Sequence, residues 1–225
     1  MFLGRRVGGV VVLALVGLAA LAGCRTEPTV AAYIGQTKIT EAQVDELIAD
    51  ATRAAAKPEE KGTAAPGRGD VVGTLVLIRV CEQARAKLGF DKVKVSTEQV
   101  RQSEGVPSVS RYATIRADLY GCITAIPYAD QTPTDAELRE LYDRAVTAGL
   151  VGTSYEETRE QLLTDDGIRQ RIAIDRAMTQ AAKDASVTVN PRYRPLEFPL
   201  IPVEGGSIME VTLGELASDA VRDLR

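Results

Sequence analysis

The chain has 225 residues, of which 45% are hydrophobic and 26% are charged, a composition typical of globular proteins. It contains no histidine, which excludes Ser-His-Asp triads, Cys-His dyads and HExxH zinc sites. An aromatic content of 4%, the absence of tryptophan and a formal net charge of −4 disfavour stacking platforms for sugars and binding to nucleic acid.

The first 24 residues have the pattern of a bacterial signal peptide. Arg5 and Arg6 precede an apolar run over residues 7–21, and the whole uncharged stretch is short for a membrane-spanning helix. Leu21-Ala22-Gly23-Cys24 resembles the lipobox of bacterial lipoproteins, in which the cysteine is diacylated and the chain is cleaved before it. The resemblance implies a signal peptide over residues 1–23 and a lipid on Cys24. A plain secretory signal or an uncleaved anchor is the alternative.

A lipid on Cys24 would place the mature protein on the extracytoplasmic face of the cell membrane. Two acyl chains give stable membrane attachment, and residues 24–29 are predicted to form the tether. Removal of Arg5 and Arg6 leaves 25 basic and 31 acidic residues, a net charge of −6. A surface of that sign repels anionic lipid and nucleic acid, so we expect the membrane contact to come from the lipid alone.

A strand and two helices are predicted after the tether. Residues 30–34 are strand-like, and Thr40-Glu41-Ala42-Gln43 is a capping box that begins an amphipathic helix. Residues 57–69 are rich in Pro, Gly and charge, which predicts a linker or an exposed loop. Asp70 is predicted to cap a second helix that ends at Gly89; for residues 71–80 a buried strand is the alternative.

The middle of the chain is predicted to be helical. Ser96 begins a further capping box, and an apolar stripe from Tyr112 to Ile126 predicts a helix that ends before Pro127. Thr134 begins another capping box.

The last long helical region is predicted over residues 155–185, with Ser154 as its cap. Residues 164–167, Thr-Asp-Asp-Gly, are expected to break it near the middle. Residues 187–189 alternate like a strand. The remainder is predicted to be extended and irregular, with a weak final helix over residues 213–224.

Two cysteines remain after Cys24. Cys81 and Cys122 each lie on an apolar face of a predicted helix. An even number of cysteines in an oxidising compartment is the usual setting for a disulfide, which here would join two helices. Two buried free thiols are the alternative.

Taken in order, the predicted elements resemble the SurA and PrsA group of extracytoplasmic chaperones. The resemblance begins with a strand, a Gly turn, Ile39-Thr40-Glu41 and an amphipathic helix, and it ends with Val187-Thr188-Val189-Asn190-Pro191-Arg192-Tyr193, which resembles the C-terminal strand of that module. The segments that match in between are residues 75–89, residues 134–142 and the stretch from residue 154 onward. The resemblance implies a chaperone module over residues 30–193, followed by an extended tail over residues 194–225.

One departure from that group changes the expected function. Its catalytic members carry a parvulin prolyl-isomerase domain between the last two helices, whereas only residues 149–153 separate the corresponding helices here. The histidines of the parvulin site have no counterpart either. The resemblance therefore implies a mainly α-helical, non-enzymatic module with a small two-stranded sheet that joins its N-terminal and C-terminal segments. It implies no catalytic, cofactor or metal site.

Three classes of function are compatible with these patterns. The first is a lipid-anchored chaperone that binds unfolded or partly folded secreted proteins. The alternative is a structural or interaction lipoprotein with one dedicated envelope partner. An enzyme or a receptor for a small ligand is the third class; it has in its favour only carboxylate clusters at Asp165-Asp166 and residues 135–140, which are typical of solvated helix ends.

Overall fold

The computed structural model describes residues 28–213, a mainly helical fold with small antiparallel sheets, as the sequence predicts. Short 3-10 turns lie at Pro58–Glu60 and Pro191–Tyr193. The helices and strands are, in chain order, β1 (Val30–Ile34), β2 (Thr37–Thr40), α1 (Glu41–Ala55), α2 (Arg68–Leu88), α3 (Thr97–Glu104), α4 (Arg111–Ile123), α5 (Asp135–Thr147), α6 (Tyr155–Thr164), α7 (Asp166–Asp184), β3 (Val187–Val189), β4 (Leu196–Val203) and β5 (Gly206–Leu213).

The first sheet joins the two ends of the helical region. β1 lies in its centre and pairs antiparallel with β2 on one side and with β3 on the other, where Tyr33 faces Thr188. The predicted pairing of the N-terminal strand with the strand at residues 187–189 is confirmed. β2 adds a third strand, because Gly35 adopts a positive φ of 58° and lets the chain turn back directly after β1.

A second sheet forms where the sequence predicts an irregular tail. β4 and β5 make a hairpin, with Leu196 opposite Leu213 and Gly205 in the turn at a positive φ of 84°. Prolines obscure the strand pattern of β4, but a two-stranded sheet tolerates them because each strand has one unpaired edge. Apolar residues of both strands are buried in the main core: Leu196, Leu200, Val211 and Leu213. Apart from Leu213, the predicted final helix lies outside the described residues.

The predicted capping boxes at Thr40, Ser96 and Thr134 are confirmed, and the predicted cap Ser154 also forms a capping box. At Thr40, Ser96, Thr134 and Ser154 the hydroxyl accepts the N–H of the residue three positions later, and the side chain of that residue accepts the N–H of the cap. These reciprocal bonds satisfy backbone donors that the first turn of a helix leaves free.

An aspartate side chain holds the first turn of both α2 and α7. α2 begins at Arg68, two residues before the predicted cap, because Gly67 is the cap and Asp70 accepts its N–H at 3.1 Å. The expected break in the last helical region is confirmed, since α6 ends at Thr164 and the Asp165 carboxylate caps α7. For residues 71–80 the helical prediction is confirmed over the alternative of a strand.

The linker at residues 57–69 is more tightly held than its composition predicts. Glu60 is only 1% exposed, and its carboxylate accepts hydrogen bonds from Ser108 Oγ at 2.6 Å, Ser108 N at 3.1 Å and Val109 N at 3.2 Å. These donors replace the water that a buried carboxylate loses. The prediction of a linker or an exposed loop is therefore wrong at Glu60, which is buried.

The core has two parts, and α7 packs against both. In the main part, α2 contacts α1, α4 and α7, and Ile174 and Met178 of α7 are buried there. In the smaller part, Ile172 packs with Leu138 of α5 and Tyr155 of α6. The sequence predicts this two-sided burial of α7, because Ile174 and Met178 share one helix face and Ile172 lies on another. No helix within residues 28–213 is long and apolar enough to cross a bilayer.

Candidate functional site

A cleft of about 780 Å³ lies between the start of α2, the helix α4 and the strand β4. Gly73 allows α2 and β4 to approach closely here, because a Cβ at this position would lie 3.3 Å from Leu196 Cδ1. The walls of the cleft are mostly apolar. They include Pro66, Leu77 and Val106 on one side and Leu196, Phe198, Pro199 and Pro202 on the other.

A largely buried ion pair forms part of the floor. Arg116 Nε donates to both carboxylate oxygens of Glu104, at 2.9 and 3.0 Å, and Arg116 Nη2 donates to Tyr120 Oη at 2.8 Å. Tyr120 Oη in turn donates to Glu104. The side chains of Arg116 and Glu104 are only 12% and 18% exposed. The charges are therefore matched inside the protein and held in one geometry.

Two hydroxyl groups complete the floor. Thr74 Oγ1 lies 3.2 Å from Tyr112 Oη, and Arg116 Nη1 donates to the same Thr74 oxygen at 3.4 Å. The Arg116 guanidinium also lies 5.9 Å from the centre of the Phe198 ring, which connects the polar floor to the β4 wall.

The tyrosines of the floor are held in their neutral form. Burial raises the pKa of Tyr120 to about 12, and the hydrogen bond to Glu104 contributes to the rise against the effect of Arg116. Burial likewise raises the pKa of Tyr112. Neither phenol is poised to exchange protons near neutral pH, so the arrangement suits binding rather than acid-base chemistry.

One end of the cleft lies next to the start of the described chain. Tyr193 lines the cleft and donates from its hydroxyl to Glu41 at 2.7 Å. The neighbouring Arg192 donates to the carbonyl oxygen of Pro28 at 2.9 Å. Glu41 N donates to Thr29 O at 2.8 Å. These contacts attach the first described residues to the rim of the cleft.

Other depressions on the surface are more open to solvent or smaller. One of about 850 Å³ runs between α5 and the β4–β5 turn and is larger but more open than the cleft; Arg139, Glu140, Asp143 and Arg144 lie in its lining. Another of about 390 Å³ lies beside β3 and includes Lys183, Ser186 and Thr188. The cleft at α2, α4 and β4 is the better candidate because it is more enclosed than the depression at α5 and its polar groups converge on the floor.

The structure brings together the two cysteines that the sequence proposes as a disulfide. Cys81 of α2 and Cys122 of α4 have their sulfur atoms 2.11 Å apart and their Cα atoms 6.2 Å apart, and both residues are fully buried. This pair joins the two helices that border the cleft. The proposed lipidation site, Cys24, lies outside the described residues.

The carboxylate clusters are held at helix ends. Asp165 caps α7, and Asp135 at the start of α5 accepts hydrogen bonds from Arg159 at 2.9 Å and from Tyr155 at 2.7 Å. Within residues 28–213 no group of three or more acidic or cysteine side chains is arranged to hold a metal ion.

The residues that define the cleft are absent from the sequence-based set of candidates. One signal is nevertheless present in the sequence, because Arg116 follows Tyr112 by four positions and precedes Leu119 by three. A charge on an otherwise apolar helix face indicates a buried ion pair or a functional site. No such signal indicates that β4 forms part of the cleft, because β4 lies far from α2 and α4 in the sequence.

No protein-family model, curated protein or solved structure matches this chain.

Proposed function

We propose that this protein is a lipid-anchored, chaperone-like protein on the extracytoplasmic face of a bacterial cell membrane. In this proposal it binds unfolded or partly folded segments of secreted proteins without catalysing a reaction. The observation that carries the proposal is the apolar cleft between α2, α4 and β4, with its polar floor. The lipobox-like sequence at Cys24 supports the location, and the order of elements that resembles SurA and PrsA supports the activity.

The chemistry of the cleft suits an extended polypeptide. Phe198 and the prolines of β4 offer apolar surface that would be buried by the side chains of a client. The exposed carboxylates of Asp70 and Glu197 offer hydrogen-bonding groups at the edges of the cleft. A ligand of this kind needs no catalytic residue, and binding to unfolded chains in preference to folded ones delays their aggregation.

The proposal is tested by the aggregation of a chemically unfolded protein, followed by light scattering. The chain from residue 25 onward, which keeps every described residue, should suppress scattering at near-stoichiometric ratios under oxidising conditions. The variant Phe198→Ser should suppress it several-fold less well, because a partly buried aromatic side chain of the cleft wall is lost. Leu150→Ser is the matched control, since Leu150 is 57% exposed and lies outside the cleft.

A folded protein that does not suppress aggregation would contradict the proposal. Circular dichroism would establish that the protein and both variants are folded. That outcome would favour the alternative of a lipoprotein with one dedicated partner, and a pull-down from envelope extracts would then identify it.

A further inference from the structure

The cleft carries more negative than positive charge. Its lining includes the carboxylates of Asp70, Glu104 and Glu197 but a single cation, Arg116, so its net charge is −2. Glu104 is matched by Arg116. Among residues 28–213, neither Asp70 nor Glu197 forms a salt bridge.

The two unmatched carboxylates border the apolar walls. Glu197 is exposed on β4, between Leu196 and Phe198. Asp70 lies in the first turn of α2, where its carboxylate accepts the N–H of Gly67 at 3.1 Å. Apolar surface and negative charge are therefore presented together, on both sides of the cleft.

We infer that the cleft selects apolar peptide segments that are flanked by lysine or arginine. This inference rests on the proposed function and names the class of client. Apolar client side chains would be buried between β4 and α2, and client cations would meet Glu197 and Asp70. The net charge of −6 on the mature chain acts in the same direction, because it repels acidic segments before they reach the cleft.

The expected preference for apolar segments flanked by lysine or arginine is moderate and depends on salt concentration. Exposed ion pairs contribute little each, so two of them should strengthen binding about fivefold. Salt screens such pairs, and the preference should shrink towards unity at about 1 M NaCl, where the Debye length is about 3 Å.

Peptide binding provides a direct test, because the protein contains no tryptophan. Three peptides would share one apolar core with a single tryptophan and would carry two lysines, two serines or two glutamates at the flanks. Their tryptophan fluorescence would be titrated with the full chain in phosphatidylcholine vesicles, with empty vesicles as the blank. We expect the lysine peptide to bind about fivefold more tightly than the serine peptide, and the glutamate peptide to bind more weakly than either.

Variants assign the preference to the cleft. Glu197→Gln should reduce the ratio between the lysine and serine peptides, because one of the two unmatched carboxylates is lost. Glu204→Gln removes the same charge from the exposed β4–β5 turn, outside the cleft, and should keep the ratio of the wild type.

The outcomes separate this inference from the proposed function. Equal affinity for all three peptides would overturn the selectivity and leave the chaperone proposal intact. A lysine preference that Glu197→Gln does not alter would overturn its assignment to this cleft. If no peptide binds to the folded protein, the proposed function itself is contradicted.

Discussion

Arg116 is a charged residue in the floor of an apolar cleft, and its charge is matched by Glu104. Its guanidinium contacts Glu104, Tyr120 and Thr74, and it lies 4.7 Å from the centre of the Tyr120 ring. Each partner comes from a different element, namely the end of α3, α4 itself and α2. The ion pair therefore fixes the relative positions of three helices and keeps the floor of the cleft polar.

Removal of Arg116 should be far more disruptive than removal of an exposed arginine from the same helix. Arg116→Ala leaves the buried Glu104 carboxylate without its partner, and the free energy of unfolding should fall by about 3 kcal/mol. Arg111→Ala breaks an exposed pair with Glu46 and should lower it by less than about 1 kcal/mol. Urea denaturation measures both. Equal losses in the two variants would show that the Arg116 pair is not structurally important.

Glu137 makes the stability of the protein depend on pH in acid. Burial alone would raise its pKa, but hydrogen bonds from Arg176 and Thr134 lower it from 4.5 to about 2. Between these two values the unfolded chain binds a proton that the folded chain does not, so stability should fall as the pH decreases from about 4.5 to about 2. Glu137→Gln should flatten this slope in urea denaturation at successive pH values.

A matched substitution tests whether that slope belongs to Glu137. Glu156 is exposed in the first turn of α6, and Glu156→Gln should keep the slope of the wild type. A Glu137→Gln variant with an unchanged slope would mean that the Arg176 contact does not control acid stability.

At the scale of elements, local chemistry explains what could be predicted. The capping boxes at Thr40, Ser96, Thr134 and Ser154 are short-range signals, and each helix begins where its cap predicts. The start of α2 was misplaced because a glycine can cap without a side chain, and Asp70 then acts from the third position. The sequence does not predict the hairpin because the prolines of β4 weaken its strand pattern, although the partner strand follows after a turn of only two residues, 204–205.

The disulfide gives a clear prediction about the connection between α2 and α4. Joining Cys81 to Cys122 closes a loop with a sequence separation of 41 residues. The double variant Cys81→Ala/Cys122→Ala should lose about 4 kcal/mol of unfolding free energy by the chain-entropy estimate. Reduction of the wild type should produce a similar loss, whereas the double variant should not respond to reductant. A wild type that is equally stable with and without reductant would favour two free thiols.

At the scale of the whole molecule, the N-terminal and C-terminal segments depend on each other. β1 is buried along its length between β2 and β3, and the hairpin contributes Val211 and Leu213 to the main core. Deletion of residues 186–225 should therefore abolish the cooperative thermal transition, measured by circular dichroism. Deletion of residues 214–225 alone keeps every described element and should preserve that transition. An unchanged transition in the longer deletion would contradict this account of the fold.

The candidate site could not be predicted from the sequence because it forms only where distant segments of the chain pack together. Its walls come from residues 64–77, the region of α3 and α4, and residues 193–202. Apolar periodicity indicates that a face is covered but does not indicate by what, so it cannot distinguish a core from a cleft. The helical stripes were correctly assigned to helices. The space between α2 and β4 depends on tertiary packing that no single stripe encodes.

The contacts of Arg192 with Pro28 and of Tyr193 with Glu41 have a consequence for where the protein can work. Pro28 is four residues from Cys24, and four residues span at most about 14 Å. A lipid on Cys24 would therefore hold one end of the cleft in a thin layer beside the lipid headgroups. Within that layer the protein would meet polypeptides that are still close to the bilayer, and it would be out of reach of those that have diffused away.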